Sequence, residues 1–389
     1  MEKTWKIGIV KDSSKPMLGL HGMHVAFRGL PGVEVAGHVD SNPRDIEEKL
    51  SLTQAKRHYA TLQEMLGNES LDIVVLCSRH PYDHLGQIRA AVENGCHVYC
   101  EKPLSVTLPE ADEIVRLAEA HARRIALAHY ARYDLGFLTM KQLVEAGEIG
   151  EPVTIHGRGK NDHRGGGEDL ITLGTHILDL ETFFFGSPDS VWADIGANGR
   201  PVTADDVNGD TVEPIGPAAG DDVFAAFRFP NGVRGIFESR RGLRDGTPAS
   251  HMGITVTGTT GALTMRFEDG TDTPCRPLRI SRLPGPPEDA SEYEVVPLRE
   301  TRAIPGAAPL DYSLCGRMDI PRARFFLESN RYAAWDLMCA IREGRQPVSD
   351  IYGARLTVEM IQGIYASALS GRRVSFPLAV RRHPLEQAT

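Results

Sequence analysis

The sequence predicts an α/β chain in two parts. A doubly wound domain comes first, and an α+β domain built on an open, mostly antiparallel sheet follows. Three observations carry this. Strand and helix patterns alternate over about the first 125 residues. The run "LDIVVLCS" at 71–78 is almost continuously apolar, as a strand buried on both faces should be. After about residue 130 the pattern changes to alternating runs paired around turn residues.

The elements follow in order. "WKIGIV" (5–10) is a short apolar strand, and Met23, Ala26, Phe27 and Leu30 then recur at helical spacing. "VEVAGHVD" (33–40) is the second strand and 71–78 the third. Leu85, Ile88 and Val92 form a helix stripe that Gly95 stops. "HVYC" (97–100) is the fourth strand. Thr107-Leu108-Pro109-Glu110 reads as a capping box opening a helix over Ala111, Ile114, Val115 and Ala118. "RIALAHY" (124–130) is a further strand. This alternation implies right-handed βαβ units and a parallel sheet covered on both faces.

One helix is then expected over about 135–146 and an amphipathic stretch over about 169–185. "DDVFAAFRF" and "GVRGIFESR" flank Pro230-Asn231-Gly232, a hairpin signal, and "GITVTGTTGALTMRF" repeats the idea around Gly258 to Gly261. Residues 300–325 read as irregular, and two helices, about 331–343 and 350–370, close the chain at Gly371. A length of 389 residues suits two domains. We place them at 1–127 and 128–389.

Composition narrows the partners. The net charge is −9 and no long Lys/Arg block occurs, which argues against nucleic acid and anionic membranes. No apolar run approaches the ~20 residues that span a bilayer. The opening "MEKTWKIGIV" shows no secretory pattern. Cys77, Cys96, Cys100, Cys275, Cys315 and Cys339 form no C-x-x-C pair and read as reduced thiols of a cytoplasmic protein. No metal site is assigned.

A doubly wound sheet binds ligands outside the carboxyl ends of its strands. The second strand ends at Asp40, either an acid for adenosine ribose hydroxyls, favouring NAD over NADP, or a turn acid or helix cap. The third ends in "CSRHPYDH", where Ser78, His80 and His84 face the crevice or serve the structure. The first turn departs from G-x-G-x-x-G. It reads "VKDSSKPMLGLHGMH", leaving Gly19 and Gly22, with His24 beside them, to offer backbone approach to a pyrophosphate.

Glu101-Lys102-Pro103 ends the fourth strand at the same crevice mouth. Proline holds the preceding residue extended. A lysine beside a nicotinamide ring can take a hydroxyl proton as hydride leaves the same carbon. Glu101 orients the lysine or anchors the turn. On one helix beginning near Asp169, Asp169, Thr172 and His176 would form a row. His176 can relay a proton or bind a substrate hydroxyl, or pack as a satisfied core histidine. Lys160, Asp162, His163 and Arg164 lie on one loop, which suits a polyhydroxylated or acidic substrate or else a solvated surface. Tyr133 joins the substrate set.

"HVYCEKPL", "EAGEIGEP" (145–152), "GGGEDLITLGTHILDL" and "PVSDIYGARLTVEMIQGIYASALSGRRVSFP" together resemble the Gfo/Idh/MocA oxidoreductases, over nearly the whole chain. The resemblance implies a Rossmann-like first domain, a sheet domain that supplies the substrate site, a homo-dimer or homo-tetramer, a nicotinamide cofactor and a sugar or cyclitol substrate. It maps Lys102 and His176 onto the catalytic lysine and histidine, Asp40 onto the ribose acid and His84 onto the histidine closing the third-strand motif. Two departures stand out: the altered glycine loop, and Thr172 where an aspartate normally partners the histidine. Asp169 is the candidate substitute. The leading expectation is an NAD-dependent sugar oxidoreductase. A rival retains NAD through a cycle without net redox change, as an epimerase, lyase or glycosidase. A non-catalytic sugar or nucleotide sensor is the third reading.

Overall fold

The computed structural model describes residues 3–15, 22–243, 252–267, 277–284, 290–298, 302–314 and 323–386. Gly19, Cys275, Cys315 and part of the stretch expected to be irregular lie outside the described residues. The chain divides into two compact units: Met1–Ser105, Glu110–Tyr133 and Thr301–Arg355 in one, and Val106–Pro109, Asp134–Glu300 and Leu356–Thr389 in the other. The division is discontinuous in sequence, whereas the sequence reading placed one boundary, after residue 127.

The first unit is built on six parallel strands: β1 (Trp5–Val10), β2 (Val33–Val39), β3 (Arg57–Tyr59), β4 (Ile73–Leu76), β5 (His97–Cys100) and β6 (Ile125–Leu127), in the order β3-β2-β1-β4-β5-β6. Helices α1 (Ile46–Thr53), α2 (Leu62–Asn68), α3 (His84–Glu93) and α4 (Leu108–Ala120) connect them. Every residue of β4 is fully buried, the reason its sequence is apolar throughout. The strand order reverses at β1, which creates a crevice outside the carboxyl ends of β1 and β4.

The expected helix after β1 is a correction. Met23, Ala26, Phe27 and Leu30 are buried as predicted, but only Met23–Val25 is helical, as one 3₁₀ turn. Gly29 (φ +72°) and Gly32 (φ +67°) turn the chain into left-handed geometry before a longer helix can form. Helix α8 (Ala323–Glu343) belongs to this unit and starts earlier than expected. Its Ala333, Ala334, Leu337 and Met338 share a core cluster with Trp5, Ile7, Phe27 and Tyr99.

The second unit carries α5 (Leu135–Glu145), β7 (Pro152–Arg158), α6 (Gly167–Thr172), α7 (Gly174–Phe185), β8 (Ser190–Ala197) and α9 (Ile351–Ser370, most of it in this unit) on a mixed sheet. Strands Asp222–Arg228 and Arg234–Arg240 pair antiparallel across the predicted turn, where Gly232 has φ +85°. Gly253–Gly258 and Ala262–Arg266 form the second predicted hairpin. One pair is parallel, β7 with Arg234–Arg240. Helix α7 lies against two glycines of the sheet. A Cβ on Gly157 would fall 2.0 Å from Ile177 Cγ2, and one on Gly235 would fall 2.5 Å from Glu181 Oε2. No described helix is long and apolar enough to cross a membrane.

Candidate functional site

In the first unit a cavity of about 410 Å³ opens where β1, β2 and β4 end. Asp12, Lys15, Ser41, Ser78, Arg79 and His80 are among the residues of its wall. Ser78 and His80 both line this cavity. Ser78 Oγ donates to Asp83 Oδ2 at 2.7 Å, and Lys15 pairs with the same carboxylate. Asp83 stays below the usual carboxylate range. Burial would raise it, but Lys15 and Ser78 outweigh burial.

Asp40 lies elsewhere than expected. It is 1% exposed and is not part of the cavity wall. Its Oδ1 accepts from the amides of Ser13 (3.1 Å) and Asn42 (2.9 Å), and its Oδ2 pairs with Lys49 at 2.9 Å. His84 is fully buried and also off the wall. Its Nε2 is 2.9 Å from the Ser78 carbonyl and its Nδ1 is 3.1 Å from the Leu104 carbonyl. The ring thus ties the third-strand motif of the sequence to the chain just beyond Lys102-Pro103. Gly22 has φ +76° and opens the 3₁₀ turn. His24, inside that turn, is buried with no hydrogen-bond partner on Nε2 among the described residues. Burial, then the nearby Lys11 and His38, hold it well below its usual titration range, so it is a neutral ring.

At the end of β5, Glu101 and Lys102 are both buried, at 3% and 2% exposure. Glu101 Oε2 accepts the backbone N–H of Lys102 at 2.9 Å, which anchors the turn, and the Lys102–Pro103 bond is cis. Lysine is almost never fully buried without a specific reason. Tyr133, expected to touch substrate, is a correction. Its ring lies in the core cluster, its hydroxyl donates to Asp336 Oδ2 (2.9 Å), and it accepts from the Ser349 amide (3.0 Å).

In the second unit the expected single helix is broken at Leu173 (φ −120°, ψ −30°), so Asp169 and Thr172 lie on α6 and His176 on α7. The row of three on one continuous helix is not formed. Gly174 follows the break and packs closely, since a Cβ there would sit 2.8 Å from Phe237 Cζ. Thr172 is fully buried and donates from Oγ1 to the Glu168 carbonyl at 3.0 Å. His176 is 1% exposed, its ring 6.2 Å from that of Phe267.

Asp169 is fully buried. Oδ2 accepts from Ser239 Oγ (2.8 Å) and from the Lys160 amide (2.9 Å), while Oδ1 has no hydrogen-bond partner among the described residues. Burial pushes its carboxyl up to about 6, with the Ser239 and Lys160 hydrogen bonds opposing. Gly159 makes room for it, because a Cβ there would meet Oδ2 at 1.9 Å.

The loop of Lys160, Asp162, His163 and Arg164 is organised rather than merely solvated. Arg164 Nη2 lies 3.1 Å from Asp162 Oδ2, and Lys160 Nζ lies 3.9 Å from the same oxygen. Burial would raise Asp162, but Arg164 and Lys160 keep it below the usual carboxylate range. Asn161 Oδ1 accepts the Arg240 amide at 2.6 Å and fastens the loop to the hairpin. His163 is the outlier, with its side chain 68% exposed.

The sequence reading missed Asp12, Lys15, Ser41 and Arg79 in the first unit and Ser239 in the second. For Asp12 a signal existed, since "KDSSK" directly follows β1. Ser239 is a buried polar residue in a strand whose inward positions otherwise read Gly235 and Phe237.

Two family models match this chain. Residues 19–129 match "Oxidoreductase family, NAD-binding Rossmann fold", and residues 137–264 match "GFO/IDH/MocA C-terminal domain". An inositol 2-dehydrogenase/D-chiro-inositol 3-dehydrogenase of Shouchella clausii is 34% identical over 129 residues, 32% of this chain and 37% of that protein. An uncharacterised oxidoreductase of Schizosaccharomyces pombe is 31% identical over 172 residues, 39% of this chain and 46% of that one. These alignments span less than half the length of the curated relatives. Among solved structures, a levoglucosan dehydrogenase in complex with NADH and levoglucosan superposes with a TM-score of 0.70 at 16% identity, over 96% of this chain and 99% of that one. An oxidoreductase from Agrobacterium radiobacter, in complex with NAD+, L-tartaric acid and magnesium, gives 0.69 at 16% identity, over 96% and 98%.

Proposed function

The chain belongs to the Gfo/Idh/MocA oxidoreductases, and from that premise we propose that it is an NAD-dependent dehydrogenase of a sugar, cyclitol or sugar derivative. The observation that carries the reading is Lys102: a buried lysine at the carboxyl end of a parallel strand, its backbone N–H held by Glu101. The first-unit cavity fits the adenosine half of a dinucleotide. It sits at the reversal of strand order, and its wall supplies a carboxylate, hydroxyls and a guanidinium. When bound, the nicotinamide accepts or returns a hydride. Lys102 takes the proton of the substrate hydroxyl. The family resemblance maps His176, in the second unit, onto the catalytic histidine. On the second unit, Arg164, Lys160 and Asp162 form a charged cluster suited to hydroxyls or an acidic group.

Asp169 favours a second reading. A buried carboxyl held near 6, with one oxygen lacking a partner, suits a second acid/base group. Such a group would serve an NAD-retaining epimerase or lyase without net redox change. The four described cysteines without a disulfide suit a cytoplasmic setting. Trp192 and Phe224, 42% and 38% exposed and 6.2 Å apart, support a homo-dimer or homo-tetramer. Light scattering tests the assembly.

The function is tested by denaturing the purified protein, identifying released nucleotide by mass, and then following reduced nicotinamide against a panel of sugars, cyclitols and sugar acids. Sugar-dependent reduction of added NAD supports the dehydrogenase. Tightly retained NAD with conversion but no net reduction supports the second reading. Absence of both nucleotide binding and turnover would overturn both.

A further inference from the structure

We propose that Asp12, not Asp40, is the carboxylate that reads the adenosine ribose, and that Asp40 is a positioning residue that holds the loop carrying Asp12. The inference rests on the dinucleotide reading above and deepens it. A carboxylate offers about four lone-pair sites. Asp40 has three engaged inside the protein, by the Ser13 amide, the Asn42 amide and Lys49. It is 1% exposed and stands off the cavity wall, so no oxygen of it faces the cavity. Lys49 also balances its charge.

Asp12 has the opposite arrangement. It follows the end of β1 by two residues, is half-buried and lines the cavity. Its Oδ1 receives three donors: Ser14 N (3.0 Å), Ser14 Oγ (2.6 Å) and Ser41 Oγ (2.9 Å). Its Oδ2 receives none of them. The carboxylate is therefore fixed in direction by one oxygen while the other is left for a ligand hydroxyl. Ser41, which also lines the cavity, links the ends of β1 and β2 through this contact. Asp40 fixes the same turn from beneath, because the Ser13 amide it binds lies between Asp12 and Ser14.

Two predictions separate the roles. A ligand hydroxyl bonded to a carboxylate is worth about a tenfold difference in affinity or more. The wild-type protein should therefore bind NAD at least about tenfold more tightly than the analogue lacking the adenosine 2′-hydroxyl. Asp12→Ala should bind the two ligands alike. Asp40→Asn should weaken both by a common factor and keep the ratio.

Isothermal titration of both ligands against the three proteins measures this without any substrate. Loss of the ratio in Asp40→Asn with its retention in Asp12→Ala would overturn the proposal, as would retention in both variants. Should Asp40→Asn not fold, the ratio in Asp12→Ala decides alone. Failure of the folded wild-type protein to bind NAD at all is a different result, and it would overturn the dinucleotide reading together with this inference.

Discussion

At the scale of single residues, the proposed chemistry concentrates in groups that a fold does not keep for stability. Lys102 is the clearest case, since taking an ammonium out of water costs several kcal/mol before any compensating contact. Lys102→Met keeps the length of the apolar stem and removes the proton acceptor. Turnover should fall by about 10²–10⁴ with cofactor affinity little changed. Steady-state rates and calorimetry on the same preparation check this, and full activity in the variant would remove the lysine from the mechanism. Asp169 gives a pH signature. Its carboxyl is pushed up to about 6, so it is protonated below that pH and ionised above it. Activity that needs the carboxylate should rise through pH 6, and Asp169→Asn should lose that limb of the kcat/KM profile. The same raised value makes the wild-type fold lose stability as pH climbs from the ordinary carboxyl range to about 6, a decline the Asn variant should lack. Lys102 and His176 were nameable as candidates from the sequence because each sits in a local pattern. The settings of Asp12 and Asp169 were not legible, because they depend on Ser41, 29 residues away, and Ser239, 70 residues away.

At the scale of elements, apolar periodicity located what is buried better than it located what is helical. The stripe from Met23 to Leu30 is core, yet the glycines at 29 and 32 prevent the helix. Residues 169–185 carry one amphipathic pattern, yet the chain breaks at Leu173, beside a Gly174 packed against Phe237 and the Asp169 carbonyl. Strand β3 went unread because three residues, one of them exposed, give no periodicity to detect. Helix α7 also holds a group that opposes stability. Glu181 is fully buried, neither carboxyl oxygen has a hydrogen-bond partner among the described residues, and two sheet glycines make its room. Burial raises it well above the ordinary carboxyl range, so the folded protein keeps the proton that the unfolded chain releases. Stability contributed by this site is therefore present at low pH and lost as pH rises past the unfolded value. Glu181→Gln should raise the melting temperature at neutral pH, with the gain shrinking to nothing below about pH 4. A gain independent of pH would show that packing, not proton linkage, sets the effect.

At the scale of the whole molecule, a linear reading recovered the two sheets but not the path of the chain through them. The parallel-sheet unit includes residues from beyond 300, and these complete it in two ways. Helix α8 supplies Ala333, Ala334, Leu337 and Met338 to the same core as β1 and β5. Residues 349–350 cover β6, the edge strand. The Leu127 amide donates to the Ser349 carbonyl at 2.9 Å, Ser349 Oγ donates to the Leu127 carbonyl at 2.9 Å, and Asp350 bridges Ala126. An uncovered edge with open N–H and C=O groups is a template for aggregation. A fragment of residues 1–133 should therefore fail to fold as a monomer, although it contains every strand of the parallel sheet. It should instead bind hydrophobic dye and aggregate. The point variant Met338→Ala, in the full chain, should lower stability by about 2–5 kcal/mol through the cavity it leaves in that core. Chemical denaturation measures the second effect and light scattering with circular dichroism the first. A monomeric fragment with a cooperative unfolding transition would show that the unit is already complete at residue 133, and that α8 and the strap over β6 are additions to a finished core.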